Sequence, residues 1–160
     1  MEHRRPRVGI ALDSGGAKGA AHIGVLEVLS ENDIPIDSIA GSSAGAFVGA
    51  MYATGTLEKC KAIINSITWR ESLSYYVDPV FPFSGLLAGK RARAFVQDIV
   101  GSVNIEDLGI SFTAVATDLL SGETVAINSG PLVDAVMASV SMPGIFRPVV
   151  LMDRLLTDGG

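Results

Sequence analysis

Between Arg7 and Asp13 the chain runs Val-Gly-Ile-Ala-Leu without a polar position, a pattern that predicts a short strand over 8–12 buried on both faces. A Gly-rich turn, Ser14-Gly15-Gly16-Ala17-Lys18-Gly19, follows. Beyond it Ile23, Val25, Leu26, Val28 and Leu29 predict a helix over 18–31, with polar residues confined to His22, Glu27 and the two ends. Such a helix reads as mostly buried. The pattern then repeats. Residues 36–40 predict a second strand, Gly41-Ser42-Ser43-Ala44-Gly45 a second turn, and the charge-free stretch 46–54 a second helix closed by Gly55. A third helix is predicted over 57–67.

Residues 69–89 place Trp69, Tyr75, Tyr76, Phe81 and Phe83 among prolines, serines and glycines, which predicts an irregular aromatic loop. These rings either border a binding cleft or fill the core. Helix resumes over 90–100. The runs 111–117 and 123–127, separated by Leu119-Leu120-Ser121-Gly122, predict a hairpin. Pro131 suits the first position of a helix reaching about Val140, and 149–157 predicts two short strands around Asp153-Arg154. Early alternation of strand and helix with antiparallel pieces later implies an α/β fold: a mainly parallel sheet, helices on both faces, and a site beyond the carboxyl ends of the strands. Both Gly-rich turns fall there.

Composition narrows the picture. The 160 residues are 48% hydrophobic, yet no stretch approaches the roughly 18 apolar residues of a spanning helix, so the excess belongs to an interior. The basic start, Met1 to Arg7, precedes an apolar segment too short for a signal peptide. One cysteine, Cys60, allows no internal disulfide and suits a cytoplasmic site. Seventeen acidic against twelve basic residues, a net charge of -5, disfavour nucleic acid as a partner.

The chemistry gathers at three places. Gly41-Ser42-Ser43-Ala44-Gly45 has G-x-S-x-G spacing between a predicted strand and a predicted helix, where Ser43 would project above the sheet at a helix start. The pentapeptide alone fits a plain connecting turn as well. The turn at Ser14 to Gly19 offers backbone N–H groups of the kind acyl transfer needs for its oxyanion. A nucleotide loop fits it poorly: Gly19 stands where a P-loop requires Ser or Thr, and Ser14 where a dinucleotide fingerprint requires Gly. The third place is Asp158-Gly159-Gly160. Only His3 and His22 exist, and both precede Ser43, which excludes the Ser, acid, His order of α/β-hydrolases and leaves a carboxylate as the natural base. Asp118, at another strand end, imitates a metal-binding position without the loop such a site needs.

These elements, in this order, resemble the patatin-like phospholipase family. The likeness extends to His22-Ile23-Gly24-Val25-Leu26, to Ala116-Thr117-Asp118, and to Ala138-Ser139 with Met142-Pro143-Gly144 and Pro148. It implies a three-layer α/β/α sandwich and hydrolysis of acyl esters in lipids, with no metal and no cofactor. Ser43 would then be the nucleophile, flanked by Gly41 and Gly45, and Asp158 the general base. Gly15, Gly16, Ala17 and Lys18 would supply the oxyanion hole. Ser14 stands where many members have Gly, and Lys18, where most have Arg, keeps the charge but not the guanidinium fork. Members continue past Asp-Gly-Gly, so residues 1–160 are expected to be a single domain truncated at its C-terminal end. The implied partner is a lipid or acyl ester, with room for transient contact at a membrane surface. The alternative is a catalytically silent module of the same fold that binds lipid or a protein.

Overall fold

The computed structural model describes residues 5–66 and 85–160. Its sheet has six strands: β1 (Gly9–Leu12), β2 (Ser38–Ser42), β3 (Ser111–Asp118), β4 (Thr124–Ile127), β5 (Val149–Leu151) and β6 (Arg154–Asp158). The helices are α1 (Ala21–Glu31), α2 (Ala44–Ala53), α3 (Leu57–Ser66), α4 (Gly85–Val100) and α5 (Leu132–Ser139). A 3₁₀ turn, Gly16–Ala20, joins β1 to α1. β1, β2 and β3 pair in parallel, and β4, β6 and β5 add to them antiparallel. The α/β class and the parallel centre are as the sequence implies.

The register carries the feature that matters for the site. β2 pairs with β3 from Ser38↔Ser111 to Ser42↔Val115. β6 pairs with β3 from Ala116↔Asp158 to Asp118↔Leu156. Because β4 occupies positions 114 to 117 of β3 on one edge, β2 and β6 must both lie on the other, one ending where the other ends. Ser42 and Asp158 therefore come to adjacent rungs of β3.

Each step from β1 to β2 to β3 moves across the sheet in one direction, so right-handed crossovers put both connections on the same face. There α2 lies against β1, β2 and β3, with α5 beside it against β3, β5 and β6; α1, α3 and α4 pack on α2. α2 is apolar all round, and Ala46, Ala50 and Met51 are fully buried. Phe112, Ile39, Leu26, Leu132 and Leu156 complete the interior. Full burial of such large side chains contributes about 1.5–3 kcal/mol each. On the opposite sheet face Ala11, Ala40, Thr124 and Ala126 are exposed and Thr113, Val115 and Thr117 half-buried. At the start of β1, the Arg5 guanidinium donates to both Asp37 oxygens at 2.8 Å and Val8 N–H donates at 2.7 Å. The Arg5 bonds first, then the Val8 amide, hold the Asp37 carboxyl down at about 2.

Five local expectations need correction. β1 is not buried on both faces, since Gly9 and Ala11 are exposed. α1 is not mostly buried: Ile23 and Leu26 are, but Val25 and Val28 are 52% and 57% exposed, because only one face of the helix meets α2. The chain at 85–89, expected as loop for its glycines, is the first turn and a half of α4. Pro131 is the N-cap rather than the first helical residue. The second strand reaches Ser42, two residues beyond expectation, and α2 begins at Ala44, leaving Ser43 alone as the turn. The aromatic residues Trp69 to Phe83, and His3, lie outside the described residues.

Candidate active site

Ser43 is the single residue between β2 and α2. Its backbone sits at φ 51°, ψ −118°, a conformation that costs a non-glycine residue about 1–3 kcal/mol and persists only where surroundings enforce it. The two flanking glycines supply part of that enforcement. A Cβ on Gly45 would stand 2.1 Å from the Leu12 carbonyl oxygen, and one on Gly41 would stand 2.5 Å from the Gly45 carbonyl. The turn is thus pressed against the end of β1 at distances no side chain permits. Gly45→Ala should lower stability by about 3 kcal/mol or more, since backbone meets backbone and neither side can swing away. Thermal unfolding checks this: a melting temperature within about 2 °C of the parent would contradict the packing described.

Asp158 ends β6. Its Oδ2 accepts the Ser43 hydroxyl at 2.7 Å, and its Oδ1 accepts the Gly160 N–H at 2.8 Å. Ser43 is buried and Asp158 half-buried. Both open on a cleft of about 260 Å³ lined also by Ser14, Gly15, Gly16, Met142, Pro143 and Gly160. Of the residues singled out in the sequence, Ser43, Asp158, Gly15 and Gly16 therefore meet in one place, with Gly41 and Gly45 behind Ser43. Ala17 and Lys18 continue the 3₁₀ turn on its exposed side and do not line the cleft. Gly16 takes φ +52°, and the Gly15 and Gly16 amides make no hydrogen bond among the described residues.

The remaining candidates have structural partners. The His22 Nε2 lies 2.8 Å from the Asp13 carbonyl oxygen, tying α1 to the end of β1. Asp118 accepts the Leu120 N–H through Oδ1 at 3.0 Å and faces Arg154 through Oδ2, so it closes the β3–β4 turn. Among the described residues no group of three or more His, Cys, Asp and Glu could hold a metal ion, and no helix is long and apolar enough to cross a membrane. The sequence reading assigned no part in the site to Ser139, which is fully buried at the end of α5 with its hydroxyl on the Ser43 amide. A serine ending an apolar helix carries no local signal that separates this use from an ordinary helix end.

A strand, a one-residue turn bearing serine, and a helix, with a carboxylate brought to that serine from an antiparallel strand, define an α/β protein with a serine and an aspartate paired at a strand-to-helix turn. The family model for patatin-like phospholipase matches residues 10–160, and the chain belongs to that family. It is 47% identical over 155 residues to an uncharacterized NTE family protein of Mycobacterium tuberculosis, matching 97% of this chain and 43% of that one. It is 33% identical to a patatin-like phospholipase domain-containing protein of Caenorhabditis elegans, over 96% of this chain and 12% of that one. The chain thus spans less than half the length of these relatives. The crystal structure of VipD from Legionella pneumophila shares the fold, with a TM-score of 0.64 at 17% identity over 96% of this chain and 46% of that one.

Proposed function

We propose that this chain carries the reaction centre of a lipid acyl hydrolase working through Ser43 and Asp158. The observation that carries the reading is the 2.7 Å hydrogen bond from the Ser43 hydroxyl to the Asp158 carboxylate, at a cleft lined also by Gly15 and Gly16. As an acyl carbonyl enters, Ser43 Oγ attacks its carbon and passes its proton to Asp158 Oδ2. The carbonyl oxygen becomes an oxyanion within reach of the Gly15 and Gly16 amides, where the Gly16–Ala20 turn begins and backbone donors lack internal partners. Lys18, exposed on the same turn, adds positive charge nearby rather than a direct contact. Collapse of the intermediate returns the proton from Asp158 to the departing alcohol and leaves the acyl group on Ser43. Water then repeats the sequence: Asp158 takes its proton, the hydroxide adds to the acyl carbon, and the acid leaves as Ser43 Oγ is reprotonated.

Met142 and Pro143 give the cleft an apolar wall, which suits a fatty acyl chain, and the family supports a lipid ester as substrate. A fluorophosphonate probe followed by peptide mapping tests the reading directly. The expected result is a single adduct on Ser43, suppressed by prior incubation with a long-chain ester that the protein hydrolyses. A folded protein with neither adduct nor hydrolysis would be a binding module instead.

A further inference from the structure

Beside the strand register, two residues on neither β2 nor β6 hold Ser43 and Asp158 in place. Ser139, 0% exposed, accepts the Ser43 N–H at 2.9 Å through its hydroxyl oxygen and donates its own proton to the Val115 carbonyl at 2.6 Å. Val115 is the β3 partner of Ser42. In a parallel ladder that carbonyl would take the amide one residue past its partner, which is the Ser43 amide. The chain leaves the strand at that point, because Ser43 has turned to φ 51°, and the Ser139 hydroxyl stands in as the missing rung. Two residues further on, the Ser141 carbonyl accepts the Asp158 N–H at 2.9 Å and the Thr157 hydroxyl at 2.7 Å. Ser141 is itself fixed, 1% exposed with its hydroxyl on the Met137 carbonyl at 2.6 Å.

We infer that Ser139 is a positioning residue for the reaction proposed above: it holds the strained backbone of Ser43 at the height where its hydroxyl meets Asp158. The inference rests on Ser43 and Asp158 acting as proposed. One three-residue segment at the end of α5 grips the serine by a side chain and the aspartate by a carbonyl, so a stretch of backbone that touches no substrate reinforces the separation that the β3 register sets. The bond has a second consequence. The Ser43 amide is occupied by Ser139 and does not serve the oxyanion.

Removing the hydroxyl strands both the Ser43 N–H and the Val115 carbonyl, so Ser139→Ala loses stability as well as alignment. A matched comparison separates the two effects. Val136→Ala opens a cavity at an equally buried position of the same helix without touching Ser43. With both variants held well below their melting temperatures, Ser139→Ala should lower kcat and the rate of fluorophosphonate labelling by about 100-fold with KM nearly unchanged. Val136→Ala should stay within about threefold of the parent in both. Ser139→Cys, close in size but a weak acceptor, should fall between, and it serves alone if the alanine variant does not fold. Labelling and kcat in Ser139→Ala no lower than in Val136→Ala, or parental values in Ser139→Cys, would overturn the inference. A parent protein that takes no label on Ser43 would instead overturn the reading beneath it, and this inference with it.

Discussion

Ser43→Ala is expected to abolish ester hydrolysis, with a loss on the order of 10⁵-fold in turnover, while the fold stays intact. In the proposed reaction the Ser43 oxygen forms the acyl bond, and the other hydroxyl lining the cleft, on Ser14, faces Asp13 rather than Asp158. Alanine at this position keeps the same strained backbone and the same amide bond to Ser139, and Asp158 keeps its bond from the Gly160 N–H. The thermal transition should therefore move little. The two measurements together are decisive: parental turnover in a folded alanine variant would end the assignment of Ser43.

The second large effect is expected at the aspartate. Asp158→Asn is almost the same size and leaves the backbone bond to Ser141 in place, but its amide cannot accept the serine proton. Turnover should fall by at least about 10³- to 10⁴-fold, the order seen when the aspartate of a serine triad is replaced by asparagine. The complementary variant replaces both histidines. The His22 Nε2 is engaged by the Asp13 carbonyl rather than by Ser43, so a protein without His3 and His22 should retain most of its hydrolysis. Rate measurements on the two purified variants decide the matter. A folded histidine-free protein that has lost hydrolysis, beside an asparagine variant that keeps it, would require a different base.

The parts of this site legible in the sequence are those written as local patterns. G-x-S-x-G between an apolar run and a charge-free stretch means a sharp strand-to-helix turn, because the positions of Gly41 and Gly45 leave no room for a Cβ. The sequence also places a β5–β6 hairpin around Asp153-Arg154; its turn falls one residue earlier, at Met152 and Asp153, both at φ 56°. What local pattern cannot express is which strands share an edge. Nothing in residues 154–158 states that β6 will abut β2 end to end on β3, and that juxtaposition is what brings Asp158 to Ser43. The family likeness named the pair; the register supplies its physical cause. Ser139 was hidden for a related reason, since its partners, Val115 and Ser43, are 24 and 96 residues away in sequence. The exposure of Val25 and Val28 was equally illegible, because an apolar position on a helix does not announce whether a neighbour will cover it.

If Ser43 and Asp158 act as proposed, the shared edge of β3 also governs when, during folding, the serine becomes reactive. β1, α1, β2 and α2 are consecutive and can collapse together, but Ser43 and Asp158 are separated by 115 residues, and a contact of that range closes late. Until β6 docks, the turn at Ser43 has no carboxylate to take its proton. On the proposed reading, a half-unfolded chain is chemically quiet toward esters until β6 docks.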